Sequence, residues 1–160
     1  MTMSAITTDH VDELLILVIR FTRARRVVLI DNLLHMDVDG FVPKDLAVLE
    51  FSEQLHVAIS EHISHRRLIL RDKPHVRFGR LGRLYLLPQT DQLAKGLLES
   101  DIRAYIQYQM HRFLENTLNE EVALKMLRIY AGPDVHRSAP GTVSVRPLTR
   151  ADLTDSRTYL

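Results

Sequence analysis

The sequence predicts a mainly α fold in which long N- and C-terminal helices pack as a helical bundle or coiled coil, with a basic insert between them that can form a β-hairpin. Three observations carry that expectation. Apolar residues recur at helical spacing toward both ends of the chain, the prolines at 43, 74 and 88 fall between those stretches, and residues 66–83 set seven basic side chains against one acid. At 160 residues the chain has the size of one domain, and its 46% hydrophobic content is enough for a buried core and too apolar for wholesale disorder.

The chain is expected to divide into an N-terminal helical segment at 8–65 with a turn at 35–43, a variable basic insert at 66–90, a C-terminal helix at 91–131 and a flexible tail at 132–160. Thr8 or Asp9 is placed to cap the first helix, and Asp12 and Glu13 suit the positive end of its dipole. Leu14, Leu15, Val18, Phe21, Val28, Leu29 and Leu33 then recur mostly three, four or seven apart and carry one stripe to about residue 34. Arg23, Arg25 and Arg26 read as a solvated face or as salt bridges between subunits. Gly40, free to take positive φ after Asp39, and Pro43, which disfavours helix at Val42, end the stripe in an ordered turn.

A second helix, from about 44 or 46 to 64, follows from Val48, Phe51, Leu55, Ala58, Ile59 and Ile63. In the insert, Leu68-Ile69-Leu70 and Arg83-Leu84-Tyr85-Leu86-Leu87 are the candidate hairpin strands. Helical spacing returns after Asp91 and runs from Ile102 through Ile106, Met110, Phe113, Thr117, Leu124 and Leu127 to about Tyr130, with Gly96 or Ser100 as candidate breaks. Beyond Gly132 the tail is rich in Pro, Ser and Thr, and its one candidate element is a short strand at 142–145.

Composition excludes several classes of function. Without cysteine there are no disulfides, thiolate metal sites or cysteine nucleophiles. The 21 basic and 20 acidic residues nearly cancel, so the molecule as a whole is no polyanion binder and any basic site is local. The longest apolar run, residues 14–19, is far short of the roughly 18 residues that span a bilayer. The first residues carry no basic region of the kind that opens a secretory signal, so export, if it occurs, is expected without a cleaved signal peptide.

Two stretches resemble a known family. Asn32, Leu33, Asp37, Gly40 and Phe41 fit the Asn-Ile-Ala-Asn-x-Asp-Thr-Pro-Gly-Tyr signature of flagellar basal-body rod proteins, the proximal rod proteins in particular, with His35, Val38 and Asp39 replacing its second Asn, its Thr and its Pro. Pro43, Lys44, Asp45 and Leu46 are similar to the segment after that signature. Met110, Phe113, Glu115, Asn116 and Leu118 resemble the Glu-Met-x-x-Leu-x-Glu-Asn-x-Leu helix near the family's C-terminus, and Leu124, Leu127 and Tyr130 suit its closing apolar positions.

The resemblance implies a structural subunit of the periplasmic rod that self-assembles through its terminal helices, alongside other rod subunits and export or basal-body components, with no enzyme activity and no cofactor. Asn32 and Asp37 would bond free backbone groups at a helix end, and Gly40 would set the turn. The insert and the tail depart from the family pattern.

Several residues suggest sharper chemistries. His62 and His65 stand at metal-ligand spacing, but His56 lies on another face and no further ligand joins them, so solvated histidines fit better. Asp37, Asp39 and Glu50 mimic the ends of a cation loop, yet Phe41 and Pro43 occupy the ligand positions between. Glu120 and Glu121 read as solvated helix surface. No nucleophile elbow, phosphate loop or dinucleotide fingerprint is present. The competing class is a helical adaptor in which Arg66, Arg67, Arg71, Lys73, Arg77, Arg80 and Arg83 grip nucleic acid or an acidic protein, although no nucleic-acid-binding motif accompanies them.

Overall fold

A computed structural model describes residues 5–131, and the tail expected at 132–160, with its candidate strand, lies outside the described residues. The chain is mainly helical. It runs as α1 (Ala5–Leu34), β1 (Lys44–Asp45), α2 (Val48–His65), β2 (Val76–Phe78), a single 3-10 turn (Arg80–Gly82), β3 (Leu84–Leu86), β4 (Gln89–Thr90), α3 (Gln92–Ser100) and α4 (Ile102–Ala131). Among the described residues no helix is long and apolar enough to cross a membrane.

Helix α1 is the spine. One side of it packs Leu17, Phe21 and Ala24 against Leu46 and Phe51 of the following segment and Val76 and Leu86 of the hairpin. The Phe21 and Phe51 rings stack at 4.1 Å. Another side packs Leu15 and Ile19 against Ala123, with Leu124 and Leu127 closing over them. As residue numbers rise along α1 their partners on α4 fall, from Ile19 with Ala123 through Thr22 with Asn116 to Asn32 with Gln109, so the two helices run antiparallel.

Several expectations shift at this level. Thr8 and Asp9 lie inside α1 and not at its start, because the helix extends back at least to Ala5. Lys44 and Asp45 form a strand instead of opening α2, since they pair antiparallel with Gln89 and Thr90 and join the turn to the start of α3. The hairpin is built from Val76–Phe78 and Leu84–Leu86; Leu68, Ile69 and Leu70 stay outside it, half-buried against the rest of the chain. Short apolar runs do not reveal their partner, and here Val76 and Phe78 won because they place two side chains on the core cluster.

The C-terminal helix breaks at Asp101, one residue past Ser100, while Gly96 sits within α3. Two aspartates start the two helices: Asp91 Oδ1 accepts from the Ala94 N–H at 2.9 Å and Asp101 Oδ1 from the Ala104 N–H at 3.0 Å.

Candidate functional site: the helix junction and the open helix faces

The junction is held by buried polar side chains that reach backbone. Asn32, 1% exposed near the end of α1, grips residue 44 with both ends of its amide: Oδ1 accepts from the Lys44 N–H at 3.0 Å and Nδ2 donates to the Lys44 carbonyl at 2.7 Å. Its Nδ2 also donates to Gln109 Oε1 at 3.1 Å, and the Tyr105 hydroxyl donates to the Asn32 carbonyl at 2.7 Å. An asparagine in this position mimics a strand partner and so fixes the chain leaving the turn against both long helices. Burial, followed by the charges of Asp91 and Asp31, pushes the Tyr105 phenol up to about 12.

Asp45 is the second anchor. Its carboxylate takes a bidentate grip from Arg25, Nε to Oδ1 at 2.8 Å and Nη2 to Oδ2 at 2.7 Å, and also accepts from the Leu46 N–H. The Arg25 residue is 2% exposed, which corrects its reading as a solvated or inter-subunit charge. Arg23 and Arg26 stay partly exposed and both pair with one acid of the same chain, Glu120, which is buried and not the solvated surface expected for it. A carboxylate opposite two arginines of α1 is invisible in sequence because it stands nearly a hundred residues away.

The remaining signature residues have smaller parts. Gly40 has φ 76°, and a Cβ there would meet nothing within 4 Å, so the turn needs glycine for its backbone conformation alone. Phe41 tilts against His35 with ring centres 6.1 Å apart, Leu33 is half-buried, and Pro43 is buried with its carbonyl accepting from the Asp91 N–H at 3.0 Å. Asp37 is exposed and its carboxylate accepts no hydrogen bond from the described residues, so the expected bond to a helix end is not made.

On α4 the residues singled out divide by face. Asn116 is buried and donates to the Thr22 carbonyl at 2.7 Å, while Leu124 and Leu127 pack on α1 and Phe113 is half-buried. Met110 and Leu118 point away, and they belong to a ridge of exposed apolar side chains spaced four apart: Met110, Leu114, Leu118, Val122 and Met126, with Leu114 61% and Leu118 60% exposed. Val27, Ile30 and Leu34 form a similar exposed row on α1.

The histidines do not converge. His62 lies against the His10 ring at 5.3 Å, His65 pairs with Glu61 at 3.1 Å, and His56 is exposed; no group of three or more metal-ligating side chains occurs among the described residues. Glu50 closes no cation loop, since both its oxygens hold His75, through the ring at 2.8 Å and the backbone N–H at 2.9 Å. Burial raises the Glu50 carboxyl, but those two hydrogen bonds and the charges of His75 and Lys73 outweigh it and leave the pKa below the usual carboxylate range. In the insert, Arg66 ends α2 in the left-handed conformation, Lys73 pairs with Glu53 at 3.5 Å, and Arg67, Arg71, Arg80 and Arg83 are exposed, with Arg77 half-buried.

Comparison with known proteins gives no match: no family model, no curated protein and no solved structure is significantly similar to this chain.

Proposed function

We propose that this chain is a structural subunit of the bacterial flagellar basal-body rod, assembled in the periplasm through its two long helices. The observation that carries the reading is the apolar ridge Met110, Leu114, Leu118, Val122 and Met126 on α4, accompanied by Val27, Ile30 and Leu34 on α1. Contiguous apolar rows in water mark surfaces that a partner covers. The antiparallel α1–α4 pair is then the unfinished part of a helical bundle that neighbouring rod subunits complete, side chains of one ridge filling the grooves of the next. Burying each leucine stabilises such a contact by about 1.5–3 kcal/mol before the cost of association is set against it.

The choice of assembly rests on the resemblance at Asn32, Leu33, Asp37, Gly40 and Phe41 and at Met110, Phe113, Asn116 and Leu118. In this reading the junction is mechanical: Asn32 and Asp45 hold the strand after the turn to α1, so a load on one long helix passes to the other. The role requires no catalytic group and no cofactor. Partners are other copies, other rod subunits and the export or basal-body components that deliver them.

The chain has no cysteine, so Leu118→Cys introduces a single thiol on the ridge. Expressed in the native host and oxidised, this variant is expected to form disulfide-linked dimers or to cross-link, with a thiol-reactive bifunctional reagent, into purified basal bodies. A host without flagella, or a protein absent from isolated basal bodies, would sink the assignment.

A further inference from the structure

Residues 66–83 hold seven of the 21 basic residues and one of the 20 acidic ones. The remaining fourteen basic and nineteen acidic residues give the rest of the chain a net charge of −5. Within the insert Lys73 has Glu53, but the guanidinium groups of Arg67, Arg71, Arg77, Arg80 and Arg83 form no ion pair or hydrogen bond with any described residue.

The hairpin gathers three of these residues. Val76 and Phe78 of β2, with Leu84 and Leu86 of β3, face the core, so Arg77 and its cross-strand partner Tyr85 project from the opposite side. The edge of the Tyr85 ring meets Gly79 beside Arg83: a Cβ on Gly79 would stand 2.8 Å from Tyr85 Cε2 and 3.1 Å from Arg83 Cβ. Arg77, Tyr85 and Arg83 therefore share the outer face, and Arg80 stands at the turn.

The platform beneath them is fixed. Arg20 donates to the Gly82 carbonyl at the tip, where φ is 67°, Asp72 Oδ1 accepts from the Phe78 N–H at 2.9 Å, and Glu50 holds His75. Little conformational freedom is left in that backbone for a ligand to remove.

We propose that this hairpin face binds an acidic polypeptide segment, with Arg77 and Arg83 forking onto its carboxylates and Tyr85 donating its hydroxyl. Planar guanidinium groups match carboxylates in bidentate fashion. Other polyanions fit less well. Phe78 is turned inward, stacked on Phe51 at 6.5 Å, which leaves the half-buried Tyr85 as a single ring, and no row of aromatic platforms awaits successive nucleobases. Among the described side chains of residues 66–90 no large hydrophobic is exposed to enter a bilayer. A duplex or an anionic membrane running past the patch also meets the net negative remainder of the molecule, whereas a short acidic segment ends with the patch.

The test titrates the full chain into a fluorescein-labelled glutamate-rich peptide of about ten residues and follows anisotropy, with duplex DNA and phosphatidylserine vesicles in parallel. Saturable peptide binding is expected, weakening about tenfold or more between about 50 and 200 mM salt. Combined Arg77→Glu and Arg83→Glu is expected to abolish it with the far-UV circular dichroism unchanged, while Arg77→Lys with Arg83→Lys retains part, because the charge stays and the fork is lost. Should the double reversal unfold, Tyr85→Phe is expected to weaken binding severalfold by itself. Absence of peptide binding, tighter binding to duplex or vesicles, or binding indifferent to all these variants would overturn the proposal.

Discussion

Asn32, Arg25 and Asn116 do what apolar side chains cannot: each fixes where one stretch of backbone stands against another. Asn32 satisfies the N–H and carbonyl of Lys44, and Tyr105 in turn satisfies the carbonyl of Asn32. Removing the Tyr105 hydroxyl leaves that carbonyl buried and unpaired, so Tyr105→Phe is expected to cost about 1–2 kcal/mol in urea unfolding at neutral pH. The same group sets a pH dependence. A phenol held neutral by burial and by Asp91 and Asp31 has a folded pKa of about 12 against 10.0 unfolded. Its contribution is complete below pH 10 and is lost as pH rises from there through about 12, because only the unfolded chain ionises readily in that window. Tyr105→Phe should flatten the alkaline decline, measured as the unfolding midpoint against pH; an unchanged slope would remove Tyr105 from that role. Asn32 and Gly40 could be singled out in the sequence because amide and glycine chemistry at a helix end is local. Arg25 and Glu120 could not, since their partners lie 20 and more than 90 residues away.

At the level of elements, α1 and α4 differ in how their faces are used. Helix α1 is covered by α2 and the hairpin on one side and by α4 on another, leaving Val27, Ile30 and Leu34 as the exposed apolar row among its described side chains. Helix α4 gives its inner face to Tyr105, Gln109, Asn116, Glu120 and Ala123 and leaves the Met110 to Met126 ridge outside. Sequence periodicity placed Met110, Phe113, Leu124 and Leu127 on one helix without saying which face would find a partner, and the resemblance set Leu118 beside Leu124 although they end on different sides. Combined Leu114→Glu and Leu118→Glu separates the two roles. The unfolding midpoint should stay within about 0.5 kcal/mol of the parent, as for surface substitutions, while sedimentation should show loss of self-association. A large drop in stability would mean that the ridge belongs to the fold of the monomer.

For the molecule as a whole, both core clusters draw on α1, one joining it to α2 and the hairpin and the other to α4. Such sharing predicts one cooperative transition. Phe21→Ala, which removes a ring stacked on Phe51 in the first cluster, should cost about 3–5 kcal/mol. Circular dichroism at 222 nm and the summed fluorescence of the five tyrosines should still melt together, whereas separate transitions would show that the α2–hairpin unit folds apart from the α1–α4 pair. The sequence by itself determined the mainly helical class, the turn around Gly40, the charge of the insert and the absence of cysteine chemistry, because helix periodicity, glycine and proline conformation, and composition are properties of neighbouring residues. Only the tertiary structure decided that Lys44 and Asp45 pair with Gln89 and Thr90, that Val76–Phe78 displaces Leu68–Leu70 in the hairpin, and which arginines find an acid. Those outcomes depend on groups brought together from distant parts of the chain, where burial of an unpaired charge or backbone group is too costly to leave unanswered.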